Sequence, residues 1–392
     1  ARFEFARAVR RRGESAMAKI ARVEAFVVAQ ALARGFHFSQ WRVDRRAVCL
    51  ARVTTDDGCH GWGEGYGPAE VVRAGVEFFA PLLIGADPLL NAALWQRMHA
   101  RGLDFARRGV LLAALSALDL ALWDLKGKLL GAPVHVLLGG KRRDAVAVYA
   151  TGMYFDDQPN LTERLAAEAA GYVAQGFRAV KMKVGLGVEA DAANVRAVRA
   201  AIGPGVKLMI DSNHAFALRE ALDLVRRVEE HDIAWFEEPL SPDDYEGYRE
   251  LRARSSIPIA AGECEYGVAG FHQLFNARAV DLAQPDLCAC GGLTEGQRIL
   301  ALARAHFVAV TPHCWGTGIG FAVGLHFLST VDVQPGRLML PEPFLEMDRT
   351  ESALREELTL PRFQAKDGAV VVSDAPGLGV DVDLGRIKEF SP

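Results

Sequence analysis

The chain has 392 residues, half of them hydrophobic, with a formal net charge of −4 and a pI near 6.2. That is enough apolar material for a large core and two domains, and a charge balance that argues against a nucleic-acid or membrane-surface partner. Its six cysteines (49, 59, 264, 288, 290 and 314) form no CxxC pair, and with no secretory signal they read as free thiols in a reducing cytoplasm.

Residues 1–16 are rich in arginine (Arg2, Arg7, Arg10, Arg11, Arg12), and a fresh start stands at Met17. Glu4 and Glu14 argue against a transit peptide, so this stretch reads as an extension outside the fold. Residues 17–140 read as an α+β domain. Strand-like runs at 23–28, 47–53 and 62–64 are interrupted by two Gly- and aromatic-rich loops, 35–42 and 65–68, and helical signals follow from 69 to 138. The apolar stretch 110–130 is long enough to suggest a membrane span. Asp119 and Asp124 interrupt it, and Asp124 sits four residues before Lys128, so a buried helix of a soluble protein is the better reading.

After Lys141 the rhythm becomes strict alternation. Strands are expected at 146–149, 179–184, 207–210, 233–236, 259–261, 280–283, 308–311 and 338–345, with a helix between each pair. Eight such units predict a closed (β/α)8-type barrel over residues 141–348. Residues 349–392 hold more strand and turn material and are expected to pack back on the N-terminal domain.

In a parallel barrel the chemistry gathers at the C-terminal strand ends. Those ends carry Lys181 and Lys183, then Asp211, Glu237, Glu263, Asp286 and His313. Each alone has a structural reading, as a solvated lysine or a helix-capping acid. Six consecutive decorated strand ends do not share that reading. Asp211, Glu237 and Glu263 stand 26 residues apart, one strand–helix unit each, so the three carboxylates line one rim. An all-oxygen set that leaves room for water and substrate suits Mg²⁺ better than Zn²⁺. The same register singles out Glu237 over Glu238, which strand alternation turns away. Lys181 and Lys183 share a face, with Met182 turned outward. Lys181 suits a substrate carboxylate. Lys183 suits a base if its pKa falls from ~10.4 toward ~7 or 8, worth about 4 kcal/mol. It faces Asp286 and His313 across the mouth, an arrangement for removing a proton α to a carboxylate.

The run from Ala117 to Lys128, closing at Gly139 and Gly140, resembles the capping-domain signature of the enolase superfamily. Lys181-x-Lys183, Asp211-x-Asn213, Phe236-Glu237-Glu238-Pro239, Gly262-Glu263 and the Asp286…His313 pair resemble its mandelate racemase subgroup. The resemblance implies Mg²⁺ on Asp211, Glu237 and Glu263, and Lys181 and Asn213 toward the substrate. It also implies Lys183 and His313 as acid/base groups, with Asp286 supporting His313. A glutamate after the last strand is implied too, Glu346 in preference to Glu342. The implied activity is dehydration of an acid sugar to a 2-keto-3-deoxy acid, with racemisation or epimerisation of a 2-hydroxy acid as the alternative, in a homo-oligomer. Asp286 stands where the muconate-lactonising subgroup has a lysine, which argues against cycloisomerase chemistry. His37 and Arg42, from the first loop, are expected to hold the distal end of the substrate.

Three weaker signals remain. Cys264, Cys288, Cys290 and Cys314 follow rim residues and raise a soft-metal alternative. The glycines of 316–320 lie where some barrels bind phosphate, though they also let backbone approach substrate beside His313. His214 reads equally as a pocket residue or a helix cap.

Overall fold

Three antiparallel strands open the N-terminal domain. β1 (Ile20–His37) pairs with β2 (Arg42–Thr55), and β3 (His60–Gly65) pairs with β2 on its other edge. The computed structural model describes residues 18–39, 41–332 and 343–392. Residues 35–42 read as a loop from their glycine and polar content; of these, 35–39, 41 and 42 are instead the tip of the β1–β2 hairpin. The strands run up to a His37–Arg42 pair, and Phe38 N–H donates to the Trp41 carbonyl at 3.1 Å. Alternating apolar residues on both strands outweigh the local composition.

Three helices cover this sheet: α1 (Ala69–Phe79), α2 (Asn91–Gly102) and α3 (Val110–Leu130). The last is the apolar stretch, buried on nearly every side and ended by Gly131 in the left-handed conformation (φ 65°). Among the described residues, no helix is long and apolar enough to cross a membrane. Both interrupting acids are fully buried and paired. Asp124 bonds Lys128 at 2.8 Å and accepts from the Trp62 and Leu378 amides at 2.9 and 2.8 Å. Strand β3 lies against α3 at backbone distance, because a Cβ on Gly63 would overlap the Ala117 carbonyl.

Eight parallel strands follow: β4 (Ala145–Thr151), β5 (Ala179–Lys183), β6 (Lys207–Asp211), β7 (Ile233–Glu237), β8 (Ile259–Ala261), β9 (Leu282–Ala283), β10 (Ala309–Val310) and β11 (Phe344–Asp348). They form one curled sheet in the order β10-β9-β8-β7-β6-β5-β4-β11, with helices between them. Among the described residues β10 and β11 share no ladder; the Thr311 hydroxyl donates to the Phe344 carbonyl across that gap. The architecture is a modified (β/α)8-type barrel beneath an α+β capping domain. Only the end of the expected last strand can be followed, since residues 338–342 lie outside the described ones, as does the 1–16 extension.

Alternation sets the interior. Tyr149, Ala179, Met209, Trp235 and Ala260 point inward and fill the barrel. One pleat further along, the same faces present Lys181, Asp211 and Glu237. The C-terminal segment returns over both parts. β13 (Ala369–Val371) pairs antiparallel with β4, while β12 (Thr359–Leu360) pairs with β14 (Asp381–Val382). The Trp62 indole N–H bonds Asp381 at 3.0 Å, and the final helix, Leu384–Phe390, lies against β1.

Candidate active site

The strand ends converge on one cavity of about 180 Å³ between barrel and cap. Lys181, Lys183, Asn213, His214, Glu263, Cys264, His313 and Glu346 line it from the barrel. Phe38, Trp41 and Tyr66 come from the cap, and Tyr154 and Trp315 from barrel loops.

Lys181, at 1 % exposure, sits among three acids. It pairs with Glu237, lies 3.0 Å from Glu346 Oε1 and 3.4 Å from Asp211 Oδ2, and has its ammonium over the Tyr149 ring. Burial works against its charge, but Glu237 and Glu346 outweigh that and hold the ammonium well above its usual range. Lys183 donates to Asp211 Oδ2 at 2.5 Å and to Asn213 Oδ1 at 2.7 Å. Burial pushes this lysine down, as a base requires, but the Asp211 carboxylate reverses the effect and holds it above the usual lysine range. Asp211 is correspondingly depressed, its burial outweighed by the two ammonium groups.

His313 closes the opposite side. Its Nδ1 lies 2.7 Å from Asp286 Oδ2, and Asp286 is fixed in turn by the Cys288 amide at 2.6 Å. The other ring nitrogen faces Glu263 at 3.3 Å and Glu346 at 3.9 Å. Burial lowers the imidazole pKa, yet Glu263, Asp286 and Glu346 together raise it to about 10. Glu346 is inside the site, held by the Thr151 hydroxyl at 2.6 Å and the Cys314 amide at 3.2 Å. The competing Glu342 lies outside the described residues.

Glu237 projects inward as alternation requires, and its second oxygen accepts from Trp235 Nε1 at 3.0 Å and Gln284 Nε2 at 2.6 Å. Glu238 does not turn away. The chain leaves the extended form there (φ 44°), and Asn213 and His214 are left-handed too (φ 42° and 69°). These three kinks fold Glu238 back onto the rim, 3.1 Å from His214 Nε2 and 3.4 Å from Asn213 Nδ2. Burial, then Glu263, Asp211 and Glu237, lift its carboxyl well above the usual range.

The three expected metal acids fit a hard cation in kind and charge. The rim buries more carboxylates than cations, and Glu237 is raised by burial and by its acidic neighbours despite Lys181. Lys181 contacts both Asp211 and Glu237, Lys183 contacts Asp211, and Glu263 faces His313. Among the described residues, the group whose donor atoms all lie within 4.8 Å of one another is His214, Glu238 and Cys264.

Other expectations resolve differently. His37 and Arg42 do not line the cavity. They bind Asp157 at the surface, with Arg42 Nη1 at 2.6 Å and His37 Nε2 at 3.3 Å, and the hairpin tip offers Phe38 and Trp41 instead. A single residue separates each surface side chain from its cavity neighbour. The glycine-rich stretch 316–320 is taken by an internal anion: Glu64 of β3 accepts from the Thr317 amide at 3.0 Å, from the Thr317 hydroxyl and from Gly320 N–H at 3.2 Å. A Cβ on Gly316 would overlap Glu64, so no room is left for phosphate. His214 lines the pocket and caps no helix; its Nδ1 bonds the Leu240 carbonyl at 3.0 Å. Cys288, Cys290 and Cys314 are buried thiols whose pKa is pushed up by burial. Tyr154, Trp315, Thr151 and Gln284 were not singled out in the sequence. Gln284 was within reach of it, two residues before Asp286 at the same strand end.

Residues 22–139 match the family model described as the mandelate racemase / muconate lactonizing enzyme N-terminal domain, and residues 164–386 match the enolase C-terminal domain-like model. The chain is 41 % identical over 372 residues to the D-galactarolactone cycloisomerase of Agrobacterium fabrum, covering 95 % of this chain and 98 % of that one. It is 33 % identical over 347 residues to the arabinonate dehydratase of Saccharolobus solfataricus (88 % and 90 %). The crystal structure of the 3,6-anhydro-D-galactonate cycloisomerase from Zobellia galactanivorans superposes with a TM-score of 0.88 at 47 % identity, covering 95 % and 99 %. Two relatives with cycloisomerase names remove the argument drawn from Asp286: a missing strand-6 lysine disfavours the two-lysine version of that chemistry and leaves a histidine-based one open. The chain is an enzyme of the enolase superfamily and belongs to its mandelate racemase subgroup.

Proposed function

We propose that this enzyme removes the proton α to the carboxylate of an acid sugar and expels the oxygen on the β-carbon, leaving a 2-keto-3-deoxy acid. The observation that supports this reading is that Lys183, at the end of β5, and His313, just after β10, line one cavity together with Lys181 and Glu346. Lys181 binds the substrate carboxylate. Lys183 or His313 takes the α-proton, and Glu346, fixed by Thr151, hydrogen-bonds the ene-diolate. His313, oriented by Asp286, protonates the departing oxygen. Asp211, Glu237 and Glu263 would hold Mg²⁺. The ion would supply positive charge beside the substrate carboxylate and compete for Asp211, the group that keeps Lys183 protonated.

The leaving oxygen decides the product. If it is a free hydroxyl, water is lost and the enzyme is a dehydratase. If it belongs to a ring, as in a 3,6-anhydro acid, the same C–O cleavage opens the ring and the product is an isomer. We favour the ring oxygen on two grounds. The relatives at 41 % and 47 % identity carry cycloisomerase names, against 33 % for the arabinonate dehydratase. The cavity is also walled by Phe38, Trp41, Tyr66, Tyr154 and Trp315, aromatic faces that suit a cyclic sugar. Racemisation needs the same two bases and no leaving group.

The test is a panel of aldonates, aldarates, aldarolactones and 3,6-anhydro acids with Mg²⁺ in D₂O, read for 2-keto product, product mass and α-deuterium. A keto isomer of unchanged composition supports ring opening, and loss of water supports dehydration. Deuterated epimer alone supports racemisation. No keto product and no exchange across the panel would overturn the proposal. Glu237→Gln should lose Mg²⁺ affinity and turnover together; an active variant sinks the ligand assignment.

A further inference from the structure

We propose that the rim carries a second cation site, of a softer kind, formed by His214, Glu238 and Cys264. Each donor stands close in sequence to an expected Mg²⁺ ligand: Glu238 after Glu237, Cys264 after Glu263, His214 three residues past Asp211. The left-handed kinks at Asn213, His214 and Glu238 gather them into a separate set, all within 4.8 Å of one another.

The spacing suits a tetrahedral ion. His214 Nε2 lies 3.1 Å from Glu238 Oε2 and 3.6 Å from Cys264 Sγ. A tetrahedral ion with bonds of about 2.05 Å to nitrogen and oxygen and about 2.3 Å to sulfur sets those edges at about 3.3 and 3.6 Å. The orientation of the imidazole points the same way. The Leu240 carbonyl at 3.0 Å can only accept, so Nδ1 carries the proton, and Nε2 turns its lone pair toward the carboxylate and the thiol. That backbone bond to the far nitrogen is the usual means of fixing a ligating histidine. Nε2, Glu238 Oε2 and the Cys264 sulfur thus converge on one point, where a proton held between the carboxyl and the imidazole occupies the place a cation would take. A cation bound there displaces that proton and is shared by all three donors.

Imidazole, thiolate and one carboxylate select Zn²⁺, Co²⁺ or Cd²⁺ over Mg²⁺. Binding forms the metal–sulfur bond and releases the thiol proton to solvent. His214 and Cys264 both line the cavity, so the site borders the substrate space. The site therefore stands beside the hard-cation acids without sharing a ligand with them.

The test uses the full chain in excess Mg²⁺, titrated with Co²⁺ and Zn²⁺. One equivalent of Co²⁺ should bind and produce a near-ultraviolet thiolate-to-cobalt charge-transfer band. One equivalent of Zn²⁺ should protect Cys264 from iodoacetamide, read by peptide mapping, while Cys59, the other partly exposed cysteine, stays reactive. Cys264→Ser should abolish the band, and His214→Asn, independently, should weaken binding about tenfold or more. Glu237→Gln should keep the band, which separates this site from the Mg²⁺ assignment. Absence of a thiolate band in the native chain, or unchanged affinity in both folded variants, overturns the proposal.

Discussion

At the scale of single residues, the centre of the site is His313 between two kinds of anion. Asp286 holds Nδ1 at 2.7 Å, and Glu263 faces the other nitrogen. These neighbours, with Glu346, raise the imidazole pKa to about 10 against the burial that lowers it. Asp286→Asn removes one charge without changing size. An asparagine must offer an N–H either to His313 or to the Cys288 amide, so the ring loses its orientation. We expect turnover to fall about 10²- to 10³-fold. The limb of the pH–rate profile due to His313 should also move to lower pH, since less negative charge stabilises the imidazolium. A reduced rate with an unmoved profile would show Asp286 to be merely structural.

At the scale of elements, cap and barrel are joined by carboxylates that terminate helices of the other domain. Glu64, on β3, meets the amides that open the barrel helix Gly318–Thr330. Asp119, on α3, takes the Thr294 amide at 2.9 Å and its hydroxyl at 2.6 Å, in the first turn of the helix Gly292–Ala305. An acid there satisfies orphan N–H groups and the positive end of the helix dipole. These helices follow the strands that lead into Asp286 and His313, so the caps also locate the dyad. Glu64→Ala leaves buried donors on Thr317 and Gly320 unpaired. A loss of about 2–3 kcal/mol is expected in chemical denaturation. A variant within about 0.5 kcal/mol of the parent would show the cap to be dispensable. The family signature around residues 117–128 thus has a physical content: Asp119 and Asp124 are the acids through which the cap grips the barrel and the returning tail.

At the scale of the molecule, His326 links three distant parts of the chain. In the barrel helix Gly318–Thr330, its Nδ1 accepts from the His135 amide at 3.2 Å and its Nε2–H donates to the Leu378 carbonyl at 3.1 Å. The first bond needs the neutral ring, since a protonated Nδ1 cannot accept. Burial lowers its pKa to about 4, below the ordinary ~6.5 of the unfolded chain. The unfolded state therefore binds more protons between those values. The contribution, on the order of 3 kcal/mol, is complete above pH ~6.5 and is lost as the pH falls toward ~4. Thermal midpoints measured across that window should fall with pH, and less steeply in His326→Gln. An equal slope in both would rule out His326 as the titrating group.

Period-2 and period-3.6 patterning located the barrel, and the 26-residue spacing of Asp211, Glu237 and Glu263 placed three acids on one rim, because strand repeat and side-chain alternation are local properties of the chain. The same regularity brought Lys181, Lys183, Asp286 and His313 to one mouth. What failed depends on backbone that leaves the regular forms or on contacts between domains. Glu238 was assigned to the outside by alternation, and a left-handed turn at that residue returns it to the rim. His37 and Arg42 looked like substrate ligands until the hairpin register gave them Asp157. The glycines near 316 looked like a phosphate loop until Glu64 arrived from the other domain. Spacing determined which strand ends carry acids, lysines and the histidine; irregular backbone at Glu238 and the packing of cap on barrel decided the rest, since Asp157 and Thr317 lie more than a hundred residues from the His37, Arg42 and Glu64 they meet.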